Sequence, residues 1–462
     1  MSKTKGKSKV VAKEQDIKGK SEQEVEEDNS KFNEMMEQPK LDKNVIATLQ
    51  QMKKGKPEKD EDEKSKVSIN FGVIGLGQAG SRIAETFSDF GYDVCVLNTA
   101  EQDLEYIDLP DSKKLFLPFS LGGAGKDLDN GRQAVEQNAE KIMDFVSTKF
   151  DNSEMLILAI SGGGGTGSGG AESLVGLLKS LGKPLGVIFI LPMESEDSLS
   201  KHNTIVTLGK LSQMAATDVI TSLMVTDNAK VELIYPGLSK ADFWPTANKA
   251  MVEPLHLFNN LSATPTKYDS LDSMDFGRIL TAGDCTIFGM MEVENYLEET
   301  AIAEAVINNL EESLLASDFS LKETRFGGFI ITGNEKALSN LPAVNVNYAS
   351  HMIGEVCESA QLVSGVYESP SEEDKVKVYT MFSGLGLPAT RINILKAQAK
   401  EQMDKIKIKE DGRVDKMTID YEANQTQTKA QEIHKRIKQK NSAFGKLTTN
   451  AQSNKIVDRR KR

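Results

Sequence analysis

The sequence predicts an α/β protein built around a parallel β-sheet that carries helices on both faces. Between residues 67 and 230, short apolar segments typical of strands alternate with segments of helical periodicity. Glycine-rich loops follow three of these strands, at residues 75–80, 121–125 and 161–170. Because ligands of such sheets bind at the carboxyl ends of the strands, the three loops predict one shared binding site.

The remaining elements follow the sheet in order. A long helix is predicted at about 240–260, although Pro245 suits only its first turn and Pro254 should kink it. Beyond residue 282 the pattern indicates a smaller α+β domain, with helices at 302–310 and near 348–357 and strands at 327–332 and 376–381. The predicted strands of the parallel sheet include Val73–Ile74, Val94–Leu97, Leu115–Phe116, Met155–Ile160, Gly186–Leu191 and Ser222–Val225.

Charged segments flank this core. Residues 1–66 are rich in Lys, Glu, Asp, Gln and Ser and almost free of aromatic residues, which predicts disorder. The last 28 residues, from Lys435, hold ten Lys or Arg against one acid, Asp458, in a chain of net charge −12. This sign reversal indicates either a flexible basic arm for nucleic acid or an acidic partner, or a merely solubilising tail. The chain is therefore predicted to divide into a disordered extension at 1–66, the parallel-sheet domain at 67–238, the long connecting helix at 239–262, a loop with the α+β domain at 263–395, and a C-terminal helix with the basic tail at 396–462.

Composition excludes several classes of protein. The chain has 462 residues, of which 39% are hydrophobic, enough for two or three domains with real cores. Its longest apolar run, Leu185–Leu191, is far too short to span a bilayer, so we expect a soluble, cytoplasmic protein with no membrane partner. The three cysteines are widely spaced and predict buried packing residues. The four histidines lack metal-ligand spacing, so we expect no zinc.

The loop at 161–170 contains seven glycines in ten residues. Bare backbone lets a ligand approach closely, and successive N–H groups together with the next helix N-terminus attract anions. The natural guest is a phosphate chain; a flexible linker is the alternative. No lysine occurs in the loop, which excludes a Walker-type P-loop. The predicted phosphate contacts are Gly163, Gly164, Gly165, Thr166, Gly167 and Ser168.

The first and third glycine loops extend this prediction. Residues 75–80 form a full G-x-G-x-x-G between a strand and a helix, which makes a Rossmann-type, NAD-dependent oxidoreductase an alternative. The next strand ends in Asn98 rather than the acid that would hold an NAD ribose, which disfavours that alternative. The residues predicted to contact the ligand from this region are Gly77, Gln78, Ala79, Asn98, Gly123, Ala124 and Gly125.

At this point the sequence resembles a known family. Residues 162–169, GGGGTGSG, resemble the signature loop GGGTG[TS]G of the tubulin/FtsZ superfamily of polymerising GTPases, and the likeness extends from about residue 67 to 395. It is nearest to the plasmid- and phage-encoded, TubZ-like branch. The resemblance implies a Rossmann-like GTPase domain joined by a central helix to a smaller α+β domain. It also implies GTP or GDP with Mg²⁺ as ligands, and head-to-tail filaments of identical subunits.

Three further ligand contacts are implied by the resemblance. Glu196 has the spacing of the family's ribose-binding glutamate, although an ordinary solvated acidic loop is the alternative. Ser200 stands where relatives carry arginine, with Lys201 next to it. Asn228 and Asn248 correspond to segments that contact guanine in the family; for Asn248 the alternative is an ordinary polar helix position.

Hydrolysis is implied to depend on a loop that reaches the neighbouring subunit. Here the corresponding carboxylates are Asp272 and Asp275, whereas Ser273 and Arg278 depart from the family pattern. A carboxylate can orient or deprotonate the attacking water. The alternative is that both residues only cap a helix N-terminus.

The predicted function is a GTP-driven filament that positions plasmid or phage DNA. In such relatives the C-terminal tail engages a DNA-bound adaptor, which is the partner predicted for the basic tail here. A division-ring protein of the same superfamily is the alternative. Such a protein normally ends in a short apolar and acidic peptide, however, and residues 456–462 have the opposite character.

Overall fold

The computed structural model describes residues 66–401 and Asp404, apart from gaps at 120–121, 236, 312–318, 359 and 371–372. Contacts divide the chain into two units after Met403, so all described residues except Asp404 belong to the first unit. The predictions of disorder at 1–65 and of a basic tail contact lie outside the described residues.

Ten strands form one mixed sheet in the order β3-β2-β1-β4-β5-β6-β7-β10-β8-β9. Strands β1 to β6 are all parallel, β7 continues that direction beside β6, and β10 runs antiparallel to both β7 and β8. The sheet thus passes through both predicted domains without a break. The strands are β1 Phe71–Leu76, β2 Asp93–Asn98, β3 Lys114–Phe116, β4 Met155–Ser161, β5 Leu185–Leu191, β6 Ser222–Asp227, β7 Cys285–Val293, β8 Phe326–Gly333, β9 Gln361–Glu368 and β10 Val376–Leu385.

Helices connect the strands and cover the sheet. The described α-helices are α1 Gly77–Asp89, α2 Glu101–Glu105, α3 Leu128–Gln137, α4 Ala139–Lys149, α5 Thr166–Lys179, α6 Ser198–Ala216, α7 Asn228–Ile234, α8 Lys240–Leu261, α9 Ser273–Leu280, α10 Ala301–Glu311, α11 Glu335–Asn340, α12 Ala343–Val356 and α13 at 389–401. Short 3₁₀ turns lie at Asp111–Lys113 and Leu321–Glu323.

The centre of the sheet is apolar on both faces. Every residue of β5 is buried, as are the first six residues of β4. This is the pattern of parallel strands covered by helices on both sides. All six predicted parallel strands are present, and their carboxyl ends lie at one edge of the sheet, where the glycine loops begin.

The central helix has the extent that the sequence predicted, Lys240–Leu261 against about 240–260. α8 continues through Pro245 and Pro254, and the side chain of Ser239 caps its first turn by accepting from the N–H of Asp242 at 3.2 Å. Two strands, β7 and β9, were not predicted from the sequence. The three cysteines are free and buried, as predicted. Among the described residues, no helix combines the length and apolar character needed to cross a bilayer.

A buried polar cluster joins α8 to the sheet. His256 on α8 is 8% exposed, and its Nδ1 lies 3.1 Å from the Tyr92 hydroxyl, which also accepts from Asn259 Nδ2 at 3.0 Å. The Phe90 ring lies 4.6 Å from the imidazole. Burial lowers the pKa of His256 from 6.5 to about 4. The neutral imidazole is therefore the form that the fold accommodates.

This cluster makes stability depend on pH. The unfolded chain binds a proton at His256 below about pH 6.5 while the folded chain does not until about pH 4. The contribution of His256 to the free energy of unfolding is therefore complete above about pH 6.5. It decreases by about 3 kcal/mol as the pH falls from 6.5 to about 4. Urea unfolding at several pH values should show this extra loss in the wild type but not in His256→Gln. The exposed His351→Gln serves as the control, and equal pH slopes for all three proteins would contradict the assignment.

Candidate functional site

A cavity of about 770 Å³ opens at the carboxyl ends of the parallel strands. Its walls are the three glycine loops, the end of β5, the start of α7 and the first turns of α8. A volume of this size suits a nucleotide. Fifteen of the sixteen residues predicted to contact the ligand line it: Gly77, Gln78, Ala79, Asn98, Gly123, Ala124, Gly125, Gly163, Gly164, Gly165, Thr166, Gly167, Glu196, Asn228 and Asn248.

The glycine loops pack against one another through bare backbone. Gly77 has a φ of +75°, and a Cβ placed there would lie 3.0 Å from the backbone nitrogen of Gly167. A Cβ on Gly165 would lie 2.8 Å from the Ala124 Cβ and from the backbone nitrogen of Lys126. Side chains at these two positions would push the loops apart. The loops can therefore pack this closely only because both residues are glycine.

The helix α5 presents its N-terminus to the cavity. Gly165 stands at its N-cap, and no side chain of the described residues caps the first turn by a hydrogen bond. Free N–H groups and the positive end of the helix dipole favour an anion at this point. The hydroxyls of Thr166 and Thr99 lie 2.6 Å apart beside this turn. The arrangement is suited to a phosphate chain.

Ser168 does not line the cavity. Its side chain is turned toward the strand that precedes the loop, with Oγ 2.9 Å from the carbonyl oxygen of Ser161 and 2.6 Å from that of Gly162. Its hydroxyl therefore holds the turn between β4 and α5 in shape. Its predicted ligand contact through the side chain is not supported by this geometry.

Polar groups suited to a sugar and a base also line the cavity. Glu196 is half-buried, and its Oε1 accepts from the backbone N–H of Met193 at 3.0 Å. Asn228 is 6% exposed, and its Oδ1 has no partner among the described residues. Asn248 on α8 is 7% exposed, and Trp244 lies one turn earlier on the same wall. An orphaned, buried acceptor such as Asn228 Oδ1 is satisfied by a ligand that donates a hydrogen bond.

Asn98 already has partners within its own segment. Its Nδ2 donates to Asp103 Oδ2 at 3.2 Å, and its Oδ1 accepts from the backbone N–H of Ala100 at 3.3 Å. The side chain therefore fixes the turn between β2 and α2 at the cavity wall. Its contact with a ligand stays a prediction.

The cavity wall also contains a lysine that was not predicted as a ligand contact. Lys126 has a φ of +60°, and its Nζ pairs with Asp197 and donates to Ser200 Oγ at 2.8 Å. Burial alone would raise the pKa of Asp197, but Lys126 and the hydrogen bonds from Ser200 together lower that pKa. Lys126 follows directly after the third glycine loop, which is the signal that could have identified it. Lys201 instead turns away and donates to the carbonyl of Glu194 at 2.8 Å.

The two predicted catalytic carboxylates do not line this cavity. Asp272 caps α9 by accepting from the N–H groups of Met274 at 2.8 Å and Asp275 at 3.0 Å. Asp275 accepts in return from the Asp272 N–H at 3.5 Å. Helix capping, the alternative considered above, therefore occurs within one copy of the chain. Action on a neighbouring copy stays a prediction, and Met274 between the two carboxylates is 68% exposed.

Comparison with known proteins agrees with this geometry. Residues 70–235 match the tubulin/FtsZ family, GTPase domain. The tubulin-like protein CetZ of Pyrococcus horikoshii is 26% identical over 356 residues, which cover 75% of this chain and 94% of that protein. The tubulin-like protein TubZ of Bacillus thuringiensis subsp. israelensis is 23% identical over 457 residues, with coverage of 84% and 91%.

A solved structure shows the same fold. The GTPγS-form protofilament of TubZ from Bacillus thuringiensis serovar israelensis superposes with a TM-score of 0.66 at 18% identity, covering 77% of this chain and 96% of that one. At so low an identity the likeness shows the fold alone and carries no residue roles.

Proposed function

Because residues 70–235 belong to the tubulin/FtsZ family as its GTPase domain, we propose that this chain binds GTP in the glycine-loop cavity, polymerises head-to-tail and hydrolyses GTP at the contact between subunits. The observation that carries the proposal is the cavity itself. Three bare-backbone loops converge there on the uncapped N-terminus of α5, and the orphaned acceptor of Asn228 lines the same cavity.

The phosphate chain belongs at the glycine loops. Backbone N–H groups of residues 163–167 and the first turn of α5 supply hydrogen bonds and positive potential. Lys126 adds a cation at the same wall, where it can leave Asp197 for a phosphate oxygen. Mg²⁺, which prefers phosphate oxygens and water with few protein ligands, neutralises phosphate charge when it is bound.

The nucleoside belongs beside Glu196, Asn228 and Asn248, which line the same cavity. Guanine presents N–H donors along one edge, and the buried Oδ1 of Asn228 offers the acceptor that they need. Asn248 adds a second amide, and the ring of Trp244 provides a face on which a base can stack. Glu196 is placed to accept from ribose hydroxyls. These roles follow from chemistry and position together.

Two copies are needed to complete the chemistry. Asp272 and Asp275 lie on α9 and outside the cavity of their own copy, so a second copy must bring them to the nucleotide. A head-to-tail contact does not close on itself and produces a filament. The TubZ structure compared above is itself a protofilament, which supports this mode of assembly. Hydrolysis is then activated by polymerisation.

For the cargo we propose plasmid or phage DNA in the cytoplasm, held through a DNA-bound adaptor. The observation in favour is the basic segment from Lys435, whose sign opposes the net charge of −12. Lys and Arg clusters bind nucleic acid or acidic proteins through charge. This can be tested by binding to immobilised adaptor–DNA complexes. The full chain should be retained on them, whereas a chain truncated before Lys435 should not be.

The ligand can be tested with the protein's own fluorescence. Trp244 is the sole tryptophan, so a change in its emission reports on the cavity without labelling. GTP and GDP should change the signal at far lower concentration than ATP or NADH. With a slowly hydrolysed GTP analogue the protein should pellet and show filaments by electron microscopy. A response to NADH alone, or a single-particle state at every GTP concentration, would overturn the proposal.

A further inference from the structure

The helix α13 contributes no residue to the cavity wall within the part of the chain that the structure describes. Its Arg391 nevertheless reaches the segment that carries Asn228. The Arg391 side chain is 7% exposed, with Nε 2.7 Å from Asp227 Oδ2 and Nη2 3.3 Å from Asp227 Oδ1. Asp227 is itself almost fully buried and precedes Asn228 directly. The helix therefore holds the base-side segment through a buried ion pair.

The same guanidinium holds the sugar-side segment. Arg391 Nη1 pairs with Glu194 Oε1, and Nη2 donates to the carbonyl of Pro192 at 3.1 Å. Gln398, two turns further along α13, donates from Nε2 to Glu194 Oε2 at 2.6 Å. Glu194 lies two residues before Glu196, the predicted ribose contact. One residue of α13 thus joins two cavity segments that are separate in sequence.

These contacts fix side chains that line the cavity. Asp227 also accepts from the backbone N–H of Ala229 at 3.0 Å and so caps α7, the helix that begins with Asn228. Burial opposes the charge on Arg391, but Asp227 and Glu194 together raise its pKa. A buried charge is stable only while its partners stay in place. Movement of α13 must therefore move both segments or leave a buried charge unpaired.

We propose that Arg391 is a positioning residue of the nucleotide site, through which α13 sets the affinity for the nucleoside part of the ligand. The inference rests on the proposed binding of a guanine nucleotide. It concerns the base and ribose, since the hydrogen bonds of Arg391 to the described residues go to Asp227, Glu194 and Pro192 and not to the glycine loops. By linkage, a nucleotide that orders these two segments must also stabilise α13.

The test removes the ion pair without stranding the buried carboxylate of Asp227, while Glu194, whose side chain is 31% exposed, keeps the hydrogen bond from Gln398. Arg391→Met alone would strand Asp227, so it is combined with Asp227→Asn, in which the amide can still cap α7. The control makes the same two changes in a more exposed ion pair, Arg325→Met with Asp284→Asn. That pair has its nitrogen and oxygen 2.6 Å apart, and Arg325 Nη1 also donates to the Ala282 carbonyl at 3.0 Å. Neither control residue lines the cavity.

Binding is measured as GDP affinity, with guanosine and inorganic tripolyphosphate as competitors. The Arg391/Asp227 variant should bind GDP and guanosine about tenfold or more weakly and discriminate less between GDP and ADP, while the control stays within about twofold of the wild type. Tripolyphosphate should compete as well as it does with the wild type. Equal effects in the two double variants, or an equal loss for tripolyphosphate, would refute a positioning role. Absence of guanine binding in the wild type would instead refute the proposed function.

A second measurement does not depend on the double variant folding. In the unmodified protein, GDP should slow amide hydrogen exchange at residues 389–401 although these residues lie outside the cavity wall. Arg391→Lys keeps the buried charge but loses the fork that spans two carboxylates, so it should bind GDP several-fold more weakly and lose this protection. Unchanged exchange at 389–401 upon saturation with GDP would reject the coupling.

Discussion

Replacing Asp275 by asparagine is expected to slow phosphate release by about 100-fold or more while GTP-dependent filaments still form. The change removes a negative charge and a proton acceptor but keeps the size of the side chain. Hydrolysis needs such a group to orient or deprotonate water, whereas nucleotide binding and assembly do not. Phosphate release and pelleting, measured on the same samples, separate the two effects.

Capping must be separated from catalysis in this experiment, because Asp275 completes a capping box with Asp272. Asparagine can still accept a backbone hydrogen bond, so the free energy of unfolding should fall by no more than about 1 kcal/mol. Glu335→Gln makes the same carboxylate-to-amide change in the first turn of α11 and is the matched control. Turnover equal to that of Glu335→Gln would assign Asp275 to capping alone. The same comparison with Asp272→Asn shows which carboxylate contributes more.

A mixing experiment extends this prediction to the shared site. Asp275→Asn subunits keep an intact cavity, and subunits blocked at the cavity by Gly164→Val keep intact carboxylates on α9. If each site is built from two copies, the mixture should hydrolyse GTP several-fold faster than the sum of the separate proteins. A mixture with only additive activity would mean that one copy holds a complete site.

The sequence predicted the parallel half of the fold because its signals are local. Each strand–loop–helix unit is contained in a few tens of residues, and the glycine loops mark where each strand ends. The same rule failed for β7, since an apolar run such as Cys285–Val293 fits a buried helix or a buried strand equally well. It failed for β9 because Ser364 and Gly365 interrupt an otherwise apolar strand at the sheet edge.

The residues of the candidate site likewise include some that the sequence could predict and some that it could not. Glycine-loop residues could be predicted because their role lies in the backbone that they expose. Trp244 could not, since no local pattern marks a lone tryptophan as part of a binding site, whereas Lys126 could have been identified from its position directly after a glycine loop. Arg391 lies 164 residues from Asp227 and 197 from Glu194 along the chain, a separation at which pattern carries no pairing information. Those contacts are set by tertiary packing.

Gly164→Ala is expected to weaken GTP binding about thirtyfold or more while leaving the fold intact. A Cβ at this position would meet only Ser161 Oγ, at 3.9 Å, so the protein itself has room for it. Gly164 lines the cavity, so the added methyl occupies space that the phosphate chain needs. Overpacking of this kind costs about 2 kcal/mol, which is about thirtyfold in affinity. The affinity is measured from the change in Trp244 emission upon addition of GTP.

Gly176→Ala is the matched control, because a Cβ there also has room and meets no atom within 4 Å, whereas one on Gly164 meets only Ser161 Oγ. Gly176 lies in the interior of α5, outside the cavity wall, so alanine should bind GTP normally and raise the free energy of unfolding by about 0.5–1 kcal/mol. The pair thus predicts opposite readouts from the same chemical change: lost affinity at one glycine and gained stability at the other. Normal GTP binding by Gly164→Ala would mean that this loop does not hold the phosphates, since no strain in the protein could mask the effect.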